Sequence, residues 1–381
     1  MNILARLFNE FFESEKAGGF ILIFATIVSL VIANSPFGNE YISFWNIDAG
    51  GHSITHWIND GLMTLFFFLI GLELEREIYC GELSNLKKAS LPLFAALGGM
   101  LVPAGLYLLI NNGTQFQSGA GIPMATDIAF AIGILSLLGS RVPFSLKIFL
   151  TALAVIDDLG AIIIIAVFYS KSLSFTNLMI AIAIFLIMIV LNRFKVKNLI
   201  PYLAGGLAMW YFMLNSGVHP TISGVLLAFV IPFGDGGEKS PSYQVQHFLH
   251  KPVAFLILPL FAMANTCLPL DGSLGEGLSH PYSIGIITGL AAGKPLGVLL
   301  FSYIAVMLGL SSLPSELKWK NITGAGFLAG IGFTMSIFIT LLAFDDTELI
   351  TNAKIAILLA SLVAAITGYL LLRTAIKSIS E

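Results

Sequence analysis

The sequence predicts an all-α polytopic membrane protein of twelve transmembrane helices, and three observations carry that prediction. The first is composition. The chain has 381 residues, of which 57% are apolar and only 11% charged, whereas an ordinary soluble domain is roughly a quarter charged. The second is the recurrence of apolar runs near the length of a bilayer crossing, about 20 residues. They fall at 17–33, 55–74, 90–110, 121–138, 144–169, 175–192, 200–214, 217–231, 248–268, 282–309, 322–343 and 353–372. The third is the distribution of basic residues between these runs. With the N-terminus placed in the cytoplasm, sixteen of the nineteen Lys and Arg fall on the cytoplasmic side. Only Lys171 and Lys354 fall outside, and Lys294 lies within a run. Cytoplasmic loops carry such an excess, and a missed or invented crossing would scramble it. Both termini are therefore expected in the cytoplasm, with residues 1–381 forming one transmembrane domain.

The same composition excludes several classes. The net charge of −3 offers no basic surface to neutralise phosphates, which argues against nucleic acid as a partner. Two distant cysteines, Cys80 and Cys267, do not make a disulfide framework. The first run is flanked by Glu10, Glu13 and Glu15, unlike the basic flank of a signal peptide. No HExxH motif, phosphate-cradling loop or nucleophile–His–Asp set at shared depth marks an enzyme. The segment 34–53 is polar and glycine-rich with an aromatic stretch from Tyr41 to Trp45. It reads as an external loop with room for a small hairpin, or as aromatic residues at the interface.

Charge inside a membrane is costly, so it is usually there for a task. Asp127, the adjacent pair Asp157 and Asp158, and Lys294 all fall within apolar runs. Any one of them alone could be a structural ion pair; the set of four points to transport. Asp157 and Asp158 have at least ten largely apolar residues on each side, which places them near the middle of the crossing. Neighbouring carboxylates repel, and a low dielectric amplifies the repulsion. Such a pair can hold protons or a small hard cation, and holding both is unfavourable. Competition for one site couples two fluxes in opposite directions. Lys294 has two parts open to it: neutralising a carboxylate, with Asp157 the expected partner, or carrying a proton itself.

Two runs look interrupted. Gly119, Gly121 and Pro123 precede Asp127 and Gly133 follows it; the eleventh run holds Gly324, Gly326, Gly330 and Gly332. Glycine permits unwound backbone, which is tolerated at membrane depth where it lines a cavity. Close helix packing is the plainer use of these glycines. Interrupted runs in opposite halves are the pattern of inverted-repeat transporters. There Asp127 could offset positive helix ends and Lys294 negative ones.

These stretches also resemble a known family. ATDIAFAIG (125–133), AVIDDLGAI (154–162), GKPLG (293–297) and GIGFTMSIFI (330–339) are similar to the NhaA-type bacterial Na⁺/H⁺ antiporters. So are FFFLIGLELERE (66–77), VHPTISGVLLAF (218–229) and HKPVAFLILPLFAMAN (250–265). The resemblance spans essentially the whole chain. It implies twelve helices, with the fourth and eleventh interrupted and crossing at mid-membrane. It implies electrogenic, pH-regulated export of Na⁺ or Li⁺ through the inner membrane for about two H⁺, with no cofactor. By match, Asp157, Asp158 and Thr126 hold the transported cation, while Asp127 and Lys294 complete the transport site. Glu73, Arg76, Glu77, His219, His247 and His250 match the pH-response region. The family often carries Glu where this chain has Gln246, so one titratable group is missing there. A homodimer joined through an external hairpin over 41–53 is also implied. The alternatives are a Na⁺-coupled solute symporter, which needs a larger polar pocket, and a non-transporting sensor or scaffold with an inert acid pair.

Overall fold

The computed structural model describes residues 3–170, 173–270 and 274–377; Lys171, counted above as external, lies outside them. The described residues are helical nearly throughout. Among the described residues, nine helices are long and apolar enough to cross a bilayer, ten if the bent pair Trp319–Ala329 and Phe333–Ala343 is one crossing. This is fewer than the twelve expected, and the shortfall has a local cause. The predicted run 200–214 is a helix of 15 residues, Ile200–Leu214. The next, 217–231, contributes only nine helical residues, Ile222–Val230. Gly217 sits at φ 86°, in the left-handed region that ends helices, and Pro220 restricts the residue before it. Turns therefore consume the first part of that run. The Asn192 amide ties Val230 to the neighbouring helix Phe175–Arg193.

The helices fall into two groups. In one, Leu86–Ile110 packs along Lys294–Met307, Trp319–Ala329 along Thr347–Lys377, and Phe144–Phe168 against Leu86–Ile110. In the other, Met63–Tyr79 packs on Ile222–Val230 and Phe175–Arg193 on Ile200–Leu214, while Ile3–Ala33 packs on Leu258–Asn265 and also on Ile128–Ser136. Large apolar side chains such as Phe24, Leu109, Val167, Phe175, Leu207 and Leu362 stay exposed. They make the outer surface of this bundle apolar, as one facing lipid must be.

Three helices change pitch where a proline or a site demands it. Lys294 N–H bonds back to Gly289, five residues earlier, across the wide turn Gly289–Gly293. Pro295 follows and has no N–H for the ladder. Similar turns lie at Val253–Ile257, just after Pro252, and at Trp57–Leu62. Such π turns are frequent at functional sites.

The segment expected to form a hairpin over 41–53 is built differently. Gly38–Trp45 is helical. The β pairing reduces to one antiparallel bridge, Asp48 with Ser53, closed over Gly50 and Gly51 at φ 78° and 92°. Two left-handed residues in succession are what the tightest hairpin turn requires. The aromatic residues from Tyr41 onward went to the helix instead: the Tyr41 hydroxyl sits 3.0 Å from Ser29 Oγ and 3.3 Å from the Met263 carbonyl.

The closest helix contact tests this packing. A Cβ on Gly297 would run into the carbonyl of Gly98, and the reverse also holds. Gly297→Leu is expected to cost about 1–3 kcal/mol, read as a fall in melting temperature of the purified protein. Gly105, where a Cβ meets open space, should accept alanine without loss.

Candidate functional site

Two breaks in the helices make the site. The fourth apolar run is a 3-10 segment, Gln117–Met124, then extended residues, then the helix Ile128–Ser136. The eleventh run breaks between Ala329 and Phe333 and bends by 47°. The breaks lie against each other. Asp127 N–H donates to the Ile331 carbonyl at 2.7 Å, and Ser336 Oγ donates to the Ile122 carbonyl at 2.7 Å. Unwound backbone loses its own ladder, so each segment here supplies bonds that the other lacks.

Breaking a helix exposes its end charges, positive at N-termini and negative at C-termini. Asp127 meets two positive ends at once. Its carboxylate accepts from Phe130 N–H at 2.9 Å, capping Ile128–Ser136. It also accepts from Thr334 N–H at 3.0 Å and from the Thr334 hydroxyl, capping Phe333–Ala343. Lys294 meets a negative end: its ammonium donates to the carbonyl of Met124, the last residue of the 3-10 segment.

The same ammonium pairs with Asp157, Nζ to Oδ2, at 2.8 Å. Thr126 Oγ1 lies 2.7 Å from that Oδ2 and 2.9 Å from the Ala329 carbonyl. A hydroxyl has one proton, so Thr126 donates to one of these oxygens at a time. Asp158 is the next residue along the helix, and both carboxylates act electrostatically on Lys294. Thr126 and Lys294 are 0% exposed, Asp157 and Asp158 1%, and Asp127 2%. Carboxylate, hydroxyl and carbonyl oxygens therefore converge where no bulk water reaches. That is a ligand set for a small hard cation. The five transport residues expected from the sequence come together here.

Aromatic side chains pack around the second half of the broken eleventh run. The Phe338 ring lies 5.3 Å from that of Phe67, 5.2 Å from His219 and 6.3 Å from Phe261, centroid to centroid.

The pH-response residues do not form one cluster. At the C-terminal end of Ile54–Tyr79, Arg76 Nε donates to Gln246 Oε1 at 2.6 Å and Nη1 to the Gly236 carbonyl at 3.1 Å. Its guanidinium stacks over Tyr243 at 4.8 Å. Glu73 Oε1 lies 3.9 Å from His250 Nε2, Glu77 is half-buried nearby on the same helix, and His247 is exposed, stacked on Tyr243. His219 belongs to the other end of that helix. Its Nε2 faces Asp60 Oδ1 at 3.5 Å, with His56 Nε2 3.5 Å from Oδ2. Asp60 and Glu73 are thirteen residues apart on the chain, about 20 Å along a helix. The sequence reading also passed over Glu75, which is buried and accepts from Ser242 Oγ at 3.2 Å. It sits two residues from Glu73 in a run of alternating acids, and that spacing was the available signal.

The family model described as Na⁺/H⁺ antiporter 1 matches residues 9–372. The Na(+)/H(+) antiporter NhaA 1 of Flavobacterium johnsoniae is 67% identical over 370 residues, 97% of each chain. The Na(+)/H(+) antiporter NhaA of Flavobacterium psychrophilum is 65% identical over 372 residues, 98% of this chain and 97% of that one. A solved sodium proton antiporter of Methanocaldococcus jannaschii aligns with a TM-score of 0.53 at 15% identity, over 98% of this chain and 99% of that one. At that identity the likeness concerns the fold alone.

Removing one cap tests the crossing. Thr334→Val leaves Asp127 Oδ2 with only the backbone donor, and is expected to cost about 1–3 kcal/mol. Melting temperature and exchange rate should both fall, and Thr334→Ser should restore both.

Proposed function

The chain belongs to the Na⁺/H⁺ antiporter 1 family and exchanges Na⁺ for H⁺ as a multi-pass protein of the bacterial inner membrane; on that premise we propose how its residues do so. The carrying observation is the buried ion pair of Lys294 and Asp157 at 2.8 Å, beside Asp158 and at the junction of two helix breaks. An ammonium already balances Asp157. A Na⁺ entering among Asp157, Asp158 and Thr126 adds a positive charge that paired Asp157 and protonated Asp158 do not balance. Burial of unbalanced charge is costly, so protons leave as the cation enters. Asp158 releases one proton, and Lys294, losing its carboxylate partner to the cation, releases the second. Rebinding of two protons expels the cation.

The site is buried from both water phases in this conformation, so exchange requires movement that exposes it to each in turn. Two protons inward for one Na⁺ (or Li⁺) outward moves one net positive charge inward per cycle. A potential of 100 mV is worth about 2.3 kcal/mol to such a step. The likeness in fold to a solved antiporter supports counting the bent pair, Ile200–Leu214 and Ile222–Val230 as crossings. That gives twelve, with the fourth and eleventh interrupted near mid-membrane and both termini cytoplasmic. Arg76, Glu73, Glu77, His247 and His250 then sit at the cytoplasmic end as the pH-responsive group, and His219 at the external end. A homodimer contact is placed on the external segment 41–53. Nothing in the family match favours solute symport or an inert scaffold.

Proteoliposome exchange tests the assignment. Asp158→Asn is expected to lose Na⁺-driven proton movement altogether, and normal exchange by that variant would remove Asp158 from the site. In the parent, an inside-negative potential should accelerate Na⁺ efflux; a rate indifferent to imposed voltage would overturn the unequal stoichiometry. Thr126→Val should raise the Na⁺ concentration needed for half-maximal exchange, with Li⁺ affected in the same direction.

A further inference from the structure

We propose that Lys354 is a latch that holds the external side of the transporter shut, by bonding Thr347–Lys377 to the end of Leu258–Asn265. The inference rests on the alternating exposure argued above and assigns part of it to named residues. Lys354 lies on Thr347–Lys377, which packs chiefly on Trp319–Ala329, Phe333–Ala343 and Pro281–Thr288. Its Nζ donates to Asn265 Oδ1 at 3.2 Å. Asn265 ends Leu258–Asn265, which packs chiefly on Ile3–Ala33. The Asn265 amide donates in turn to Asn59 Oδ1 at 2.8 Å and to the Phe261 carbonyl at 3.0 Å. The chain Lys354–Asn265–Asn59 thus joins the last helix to two other helices. It does so beyond the aromatic cluster around Phe338: Phe261 and Asn265 are one turn apart, and Asn59 precedes Phe67 by eight residues.

The chemistry of the contact suits something that must open. Lys354 is 9% exposed. Among the described residues its hydrogen-bond partner is a neutral amide rather than a carboxylate. A buried ammonium facing a carboxylate would gain a strong pairing that opposes separation. Facing an amide, it gains one charge-assisted hydrogen bond. The Asn265 side is fixed in place by Ser29 Oγ, which donates to the Met263 carbonyl at 2.8 Å. Motion of the last helix therefore breaks the Lys354 bond rather than dragging the partner along.

Accessibility measures the latch independently of transport. Met63 is fully buried, one turn from Phe67 on the Asn59 side. In a background with Cys80→Ala and Cys267→Ala, Met63→Cys reports entry of a charged, membrane-impermeant thiol reagent added outside right-side-out vesicles. Lys354→Met and Asn265→Ala are each expected to raise the labelling rate about tenfold, the population change that losing one hydrogen bond to a charged group gives. Lys354→Arg, which keeps the donor, should stay within about twofold of the parent. Rates for Lys354→Met and Asn265→Ala that match the parent overturn the latch. If Lys354→Met does not fold, Asn265→Ala decides. Na⁺/H⁺ exchange in the same vesicles judges the transport reading separately: a parent that labels slowly but exchanges nothing would sink that reading and leave the labelling contrast to judge the latch.

Discussion

A helix interrupted inside a membrane must find partners for the backbone groups it releases, and every feature of this site follows from that requirement. The breaks at 125–127 and 330–332 are placed so that each answers the other, Asp127 N–H to Ile331 and Ser336 to Ile122. Four helix ends then face one small volume. Asp127 takes the two positive ends with one carboxylate. Lys294 takes a negative end through the Met124 carbonyl. What is left is the Lys294–Asp157 pair and its neighbour Asp158, the part of the network free to exchange its charge partners. The fixed charges hold the crossing together; the exchangeable ones carry the ions.

This division explains why buried charge is retained at all. Replacing a buried ion pair by apolar residues is often neutral for stability, whereas removing one partner costs about 3–5 kcal/mol. A protein needing only stability would have no use for Asp157 and Lys294. A protein that must refuse to hold a cation and its full set of protons together depends on that same cost.

Much of this was legible in the sequence, and for a definite reason. Buried acids and a buried lysine stand out against apolar runs, so Asp127, Asp157, Asp158 and Lys294 were identifiable from expense alone. Glycine and proline marked both breaks. Pitch and depth were not legible. The run 217–231 scores as a crossing by hydropathy, yet Gly217 and Pro220 turn its first part. The stretch 41–53 looked like a hairpin, but Tyr41 found partners on two other helices and its neighbours became helical. His219 matched a motif without revealing that it faces Asp60 rather than Glu73. Lys354 was counted with the external residues, although Asp346 caps the helix through Glu348 and Leu349 N–H groups. That cap starts the helix at Thr347, two turns before Lys354, and carries the lysine inward.

The helix Ile54–Tyr79 draws these observations together. Asn59 and Asp60 lie at one end of it, Phe67 at its middle, and Glu73, Glu75 and Arg76 at the other end. The acid expected at Gln246 is absent, so the Arg76 guanidinium is held there by a neutral amide. Glu75 brings a carboxylate to the same interface, against Ser242 one turn earlier on the facing helix. This acid rides on the element that also carries Phe67 and Asn59. The far end of that helix touches Asn265, the partner of Lys354, through Asn59. A carboxylate on Pro241–Pro252 would bear on that helix only through its packing. One carried by the helix moves with it. In this chain, the charge at one end and the contacts at the other therefore belong to one helix.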